Sequence, residues 1–427
     1  MSELERQETA SHAGQGVIPE TTQPIAPEVV VAGHICLDVF PTLVGDADAG
    51  TGARTSWFLP GQTIEAGPVI FSTGGAVSNT GLALHKLGVT TQLMGKVGAD
   101  LFGQAILQIV DVHGAQLSNG MVIAHDEASS YSIILSSPNA DRMLIHAPGC
   151  NATFGADDVR YEALETVRLF HFGYPPLMER MYLDNGAELT RMFKQVKAMG
   201  ITTSLDLSMP DPQSVAGRAS WQAILTATLP YVDVFLPSAE EILLMLRRPI
   251  FDQLAAESEH ARPLHSITPA MISELGQSLL EMGARIVGLK IGERGLYLRT
   301  APAASLAQMG HCHVTDLAAW SERELWAPCF ATRVAGTTGS GDATIAGFLM
   351  GLMRGMPPEA TLAAACAVGA CSVEAVDAVS GVRSWPETAA RLAAGWPRLQ
   401  LTFGGTDAGW HWDDTREIWV GPKDSQR

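Results

Sequence analysis

The segment "VVVAG", residues 29–33, is a β-branched apolar run closed by a glycine. A run with no polar alternation fits a strand covered on both faces. The segments "TQLMGKVG", "VRLFHFG", "ITTSLDLS" and "VDVFLPS" read as further strands, and "RIVGLKIGERGLYLRT" reads as strand, turn and strand. Between them lie helical stretches: residues 72–88 after a glycine turn, Asp100 to Gly114 with an acidic start and a glycine stop, and Met178 to Met199. Strands alternating with helices predict one sheet with helices on both faces.

Two stretches break that rhythm. Pro41 to Val69 is rich in Gly, Pro, Thr and Asp, and Leu117 to Ala147 holds the strand-like pair "YSIILSS" and "DRMLIHA" across "PNA". They predict a small β lid built from segments near 36–70 and 117–147. Residues 1–28 are polar and read as a flexible tail, 29–404 as the body, and 405–427 as a second tail carrying Trp410 and Trp412. Segments 248–269 and 301–329 have no assigned role.

A net charge of −17 repels phosphate backbones, which excludes nucleic acid as an expected partner. No apolar run spans a membrane; the longest, Ala363 to Cys371, reads as a buried helix. The polar N-terminal residues do not form a signal peptide, and six cysteines without a CxxC pair fit reduced thiols in a cytoplasm. His311, His313 and Cys329 fit no usual zinc spacing.

The chemistry concentrates in "AGTTGSGDATIAGFL", Ala335 to Leu349. Apolar residues at Ile345, Phe348, Leu349 and Leu352 place a helix directly after the glycines. A helix N-terminus offers unpaired N–H groups and the positive end of a dipole. Gly339 and Gly341 let an anion approach that backbone, and Asp342 sets a carboxylate beside it. An anion hole beside a base is what phosphoryl transfer to an alcohol requires. The competing reading is a plain turn in which Asp342 caps the helix. The loop is neither a P-loop nor a dinucleotide fingerprint, since no Gly-Lys-Ser/Thr follows and Thr344 ends the glycine pattern.

Together "GGAVSNTGLALHKLG", "GKVGADLFG" and "TTGSGDATIAGF" resemble the signatures of the ribokinase-like (PfkB) carbohydrate kinases, over about 29–386. The resemblance implies a Rossmann-like three-layer α/β sandwich with a β-sheet lid. It also implies ATP-dependent phosphorylation of a small sugar hydroxyl. Asp342 matches the base, and Gly339, Ser340 and Gly341 match the anion hole. Asp38, Gly74, Gly75, Asn79, Lys96 and Arg142 match substrate positions. For the nucleotide, Lys290 (where many members carry Thr), Gly292 and Gly295 match a strand and turn, alongside Thr338. Ser238 and Glu241 match an Asn-x-x-Glu motif that orders Mg²⁺ through water, with Ser replacing Asn. Gly336 replaces an aspartate that helps hold a monovalent cation in potassium-activated members, which argues against that dependence. Which sugar is accepted is not encoded in these motifs.

Two alternatives stand beside the sugar kinase. A nucleoside kinase would need an aromatic slot near the lid, for which Trp57, Phe58 and Phe71 are available. A non-catalytic sugar sensor would typically have lost the base or the anion hole, and both are present. The expected partners are a small sugar and ATP, with a homodimer through the lid as a further expectation.

Overall fold

The computed structural model describes residues 26–43, 63, 65–137, 140–258, 263–401, 403 and 409–425, apart from the side chains of 42, 43, 136, 137 and 140–142. Numbered in chain order, the strands are β1 (Val29–Gly33), β2 (Cys36–Leu43), β3 (Ala66–Gly74), β4 (Thr91–Met94), β5 (Lys96–Gly98), β6 (Val122–Ala124), β7 (Tyr131–Ser137), β8 (Ala140–Ala147), β9 (Leu169–Gly173), β10 (Thr202–Leu205), β11 (Val234–Phe235), β12 (Ile286–Lys290), β13 (Leu296–Thr300), β14 (Glu324–Ala327), β15 (His411–Asp413) and β16 (Ile418–Val420).

Ten of them form the main sheet, in the order β15-β16-β14-β13-β12-β11-β10-β9-β1-β4. From β4 to β12 neighbours run parallel, and beyond β12 they run antiparallel. All five residues of β1 are buried, which explains its unbroken apolar run. Two apolar clusters flank the sheet. One holds the helices Ala76–Lys86, Ser340–Met353 and Pro358–Ser372, and the other holds Ala187–Ala198, Ala239–Leu246 and Pro269–Glu281. The α/β layering expected from the alternation is therefore present.

The chain leaves β1, enters the lid, returns to β4 on one side of β1 and later continues in β9 on the other. Such a reversal opens a crevice at the carboxyl ends of the parallel strands.

The second sheet is the lid, four strands in the order β3-β2-β7-β8. β2 pairs antiparallel with β3 and parallel with β7, and β7 pairs antiparallel with β8. Two boundaries differ from the sequence expectation. Leu117–Gly120 is a 3-10 turn and β6 pairs with β5 in a separate two-stranded sheet, so residues 117–124 lie outside the lid. The C-terminal residues set apart as a tail supply β15 and β16, and β16 pairs with β14 at the edge of the main sheet. Trp410 packs there against Tyr297, Trp326 and Phe403. Asp424 accepts a hydrogen bond from buried Arg323 (2.9 Å). Three-residue strands carry too short a pattern to be distinguished from a loop. Residues 1–25 of the expected N-terminal tail lie outside the described residues, as do Trp57 and Phe58.

The unassigned segments have structure of their own. Arg248–Glu257 is a helix, and 301–329 holds the short helices Ala303–Leu306 and Leu317–Trp320 before β14.

Candidate active site

The crevice is lined from the strand ends. His34 follows β1, Tyr174 follows β9, Asp206 follows β10, Ser238 lies just past β11, and Lys290 ends β12. The Ser340–Met353 helix faces them and packs against the Ala76–Lys86 helix.

That facing helix begins at Ser340 with Gly339 as its cap, so Asp342 sits inside the first turn and is not the cap. Gly339 adopts φ 70°, and a Cβ there would stand 2.3 Å from Ala378 Cβ. Only glycine fits that left-handed, crowded position. The geometry of a first turn leaves the N–H groups of Gly341 and Asp342 without helical partners.

The Asp342 carboxylate is 3% exposed and accepts three hydrogen bonds. Thr80 Oγ1 donates to Oδ1 (3.2 Å), while Asn79 Nδ2 (3.0 Å) and the Tyr174 hydroxyl (2.7 Å) donate to Oδ2. Burial raises its pKa above the ordinary aspartate value, opposed by those donors and by the Lys290 charge. Burial and the Asp342 charge push the Tyr174 phenol well above its usual range, so it remains a donor.

Tyr174 and Thr80 were not singled out from sequence. Tyr174 adopts the left-handed conformation (φ 66°, ψ 39°), an outlier for so bulky a residue. The available signal was its position directly after a buried strand ending in glycine. Replacing Tyr174 by Phe removes one donor from a charged acceptor, a bond contributing about 1.5–3 kcal/mol. The pKa of Asp342 then rises further, and if Asp342 serves as a base it is active only above that pKa. The acid limb of kcat/KM is therefore expected to move to higher pH in Tyr174→Phe, by about one unit or more, with activity lost on its acid side. A pH–rate profile of the variant against wild type reads this directly.

Lys290 crosses beside the loop, since a Cβ at Gly341 would lie 3.4 Å from Lys290 Cε. Its ammonium donates to Asp206 Oδ1 (2.5 Å) and to the Leu236 carbonyl (2.6 Å). Burial would lower the Lys290 pKa, but the carboxylates of Asp206 and Glu241 outweigh it and hold the lysine charged. Burial lifts Asp206, opposed by Lys290 and reinforced by Glu241 and Asp342. One lysine thus balances three acids at this end of the crevice.

Glu241 and Ser238 form a capping box at the Ala239–Leu246 helix, with Ser238 N donating to Glu241 Oε2 (2.8 Å) and Glu241 N to Ser238 Oγ (3.2 Å). The Ser238 backbone also pairs with that of Lys290 in an isolated parallel β-bridge. Among the described residues no group of three or more His, Cys, Asp or Glu is placed to hold a metal directly.

The remaining candidates divide. Asp38 is 8% exposed and accepts from Cys36 Sγ (3.3 Å), and its Oδ2 lies 2.3 Å from where a Gly74 Cβ would stand. Burial lifts its pKa to about 6, opposed by Cys36 and Ser132. Gly75 adopts φ 89°, where a Cβ would meet His34 O at 2.4 Å. Asn79 faces Asp342, leaving its Oδ1 buried without a partner. Thr338 Oγ1 is likewise buried and unpartnered.

Lys96 does not join this group. Its ammonium pairs with Glu127 (2.6 Å) and donates to Thr153 (2.9 Å). Arg142 lies on β8, with its side chain outside the described residues. Gly292 (φ 52°) and Gly295 (φ 98°) turn the chain between β12 and β13, and a Cβ on Gly295 would lie 2.0 Å from the Ala327 carbonyl. A Cβ at Gly336 would lie 2.8 Å from Val376 O, so that position has no room for a side chain. Phe71 lies on β3 and is 52% exposed.

Comparison with known proteins places this geometry in context. Residues 42–385 match the model of the pfkB family carbohydrate kinases. The chain is 25% identical to an uncharacterized sugar kinase of Archaeoglobus fulgidus over 278 residues, covering 65% of this chain and 89% of that protein. The structure is similar to an Arabidopsis thaliana ribokinase complexed with ribose and ATP, with a TM-score of 0.62 and 18% identity, covering 86% of this chain and 99% of that one. It is also similar to an E. coli ribokinase II described as putative and complexed with ATP and Mg²⁺, with a TM-score of 0.58 and 17% identity, covering 86% and 99%.

Proposed function

This chain belongs to the pfkB family of carbohydrate kinases, ATP-dependent phosphotransferases, and from that premise we propose that it moves the γ-phosphoryl group of ATP to a primary hydroxyl of a small sugar. Asp342 is the general base, and the backbone of Gly339 to Asp342 is the anion hole. The observation that carries this reading is a buried carboxylate in the first turn of a helix, held by three donors beside a glycine loop. A carboxylate offers about four acceptor sites. Two donors occupy Oδ2 and one occupies Oδ1. The open site is therefore on Oδ1, where the attacking hydroxyl delivers its proton. Asp38 and the unpaired Asn79 Oδ1 position acceptor hydroxyls.

Lys290, Thr338 and the turn at Gly292 and Gly295 bound the ATP side. Glu241 and Asp206 would orient the water shell of Mg²⁺, which when bound neutralises phosphate charge. Gly336, with neither a carboxylate nor room for one, supports activity without potassium. Six free cysteines fit a reducing, cytoplasmic setting. The test is ADP release with ATP and Mg²⁺ across neutral sugars, sugar acids and nucleosides. Turnover of one sugar is expected; turnover of a nucleoside alone, or of nothing, overturns the reading.

The lid supports a homodimer. Its edge strands β3 and β8 expose Val69, Ile70, Phe71, Met143, Leu144 and Ile145 at 44–63%. Exposed apolar edge strands invite pairing with another chain. Sedimentation equilibrium is expected to show a dimer that Ile70→Asp converts to monomer; a monomeric wild type rules the arrangement out.

A further inference from the structure

Beside the groups already assigned lies a pair of histidines that no step above uses. His34 is 2% exposed, and neither of its ring nitrogens has a hydrogen-bond partner. Its ring lies 5.2 Å from that of His146 and 6.1 Å from that of Tyr174, centroid to centroid. His146 Nδ1 is 3.0 Å from Ser132 Oγ, while its Nε2 is buried and unpartnered. Three imidazole nitrogens are thus withheld from water and left unsatisfied in one place. Buried polar groups are almost always paired, so an unpaired cluster calls for a partner, which a bound molecule or an ordered water supplies.

The pair borders groups already placed on the acceptor side. A Cβ on Gly75 would stand 2.5 Å from His34 Nδ1, and Gly75 caps the helix that carries Asn79 and Thr80. Tyr174, in ring contact with His34, donates to Asp342. Ser132, beside His146, lies near Cys36, which donates to Asp38. The two rings also come from different layers, since His34 follows β1 of the body and His146 belongs to β8 of the lid. A ligand between lid and body would touch both.

Charge decides what that ligand is. Burial, reinforced by His146, holds the His34 pKa down to about 3, and burial lowers His146 as well. Both rings are neutral at physiological pH. A neutral imidazole has one donor and one acceptor nitrogen, which matches a hydroxyl. The neighbouring carboxylates of Asp38 and Asp342 repel an anion. The lysines considered above are committed, Lys96 to Glu127 and Lys290 to Asp206, and Arg142, on the same strand as His146, has its side chain outside the described residues.

We propose that His34 and His146 form a specificity element of the acceptor pocket that reads hydroxyls on an uncharged part of the substrate. The acceptor is then a neutral sugar or polyol, and sugar acids and sugar phosphates are excluded. This rests on the kinase reading above.

The experiment is steady-state ADP release by wild type, His34→Ala, His34→Gln and His146→Ala. Ribose, fructose and a cyclic polyol are compared with gluconate, 2-dehydro-3-deoxygluconate and fructose 6-phosphate. A neutral acceptor is expected to be preferred. The alanine variants raise its KM about tenfold or more while leaving the KM for ATP within about twofold. His34→Gln, which keeps one donor and one acceptor, recovers most of the loss. His146 lies on the lid, so its variant reports even if His34→Ala does not fold. Preference for an acid or phosphate overturns the proposal, as does an acceptor KM unchanged in a folded alanine variant. If wild type turns over nothing, the kinase reading fails separately. Calorimetry with the same neutral compounds then decides the histidine role, and absence of binding, or equal binding by wild type and His146→Ala, overturns it.

Discussion

Asp342→Asn is expected to lower kcat by about a thousandfold or more, within the range general-base catalysis supplies together with loss of charge at the reacting atom. That is ~4 kcal/mol of barrier. The amide preserves the size of the side chain and still accepts from Tyr174 or Thr80, so ATP and sugar affinities change only a few-fold. Single-turnover ADP release together with sugar titration separates the two effects. Because burial raises the Asp342 pKa, the wild-type acid limb of kcat/KM lies above the usual carboxylate range, and the variant lacks it. Stability responds in the opposite sense. A carboxylate whose folded pKa is raised above its unfolded value destabilises the fold above that folded pKa. The penalty fades as pH falls towards the unfolded value. Asp342→Asn therefore melts higher than wild type at pH 8, with the gain shrinking on acidification. A variant within tenfold of wild type in kcat would remove Asp342 from the role of base.

The second large effect is on the buried ion pair. Lys290→Met leaves Asp206, 1% exposed, without its 2.5 Å partner and beside the charges of Glu241 and Asp342. Breaking a buried pair from one side costs about 3–5 kcal/mol. The expected result is a lower urea midpoint that recovers on acidification, because Asp206, raised by burial, takes up a proton as pH falls. Adding Asp206→Asn restores most of the stability, since an amide needs no counter-ion. If the double variant is no more stable than Lys290→Met, the loss comes from packing of the lysine stem and not from the stranded charge. Lys290 also lowers the Asp342 pKa, so its removal moves the acid limb of activity upward.

How much of this was legible beforehand depends on the range of each interaction. β1 is visible because a strand covered on both faces needs an unbroken apolar run, while β9 keeps a buried His171 among its apolar residues. The glycine loop before the Ser340–Met353 helix is visible because its glycines meet a local backbone demand, seen in the positive φ of Gly339. Ser238 and Glu241 carry a local signal too, since Ser-x-x-Glu is the pattern of a capping box, and the same residues border Lys290. What stayed hidden is tertiary. Nothing near Tyr174 in the chain announces that its hydroxyl meets Asp342, and nothing near Lys96 announces Glu127. His34 is hidden for another reason: next to "VVVAG" it looks like any strand-end residue, and only its missing partners set it apart.

The lid has a consequence for how the molecule is assembled. Its central pairing sets Leu37 parallel to Tyr131, with β3, β4, β5, β6 and two α-helices between them among the described residues. Pairing across so long a loop is slow, because the chain entropy is lost before any contact forms. The body, by contrast, includes adjacent strand–helix units that close over short distances. On dilution from denaturant, helical circular dichroism is expected to recover first. The lid then sets the pace at which His146 meets His34 and competence returns. Protein caught in that interval has Asp342 and the glycine loop in place, but not the paired rings proposed above to tell one acceptor from another.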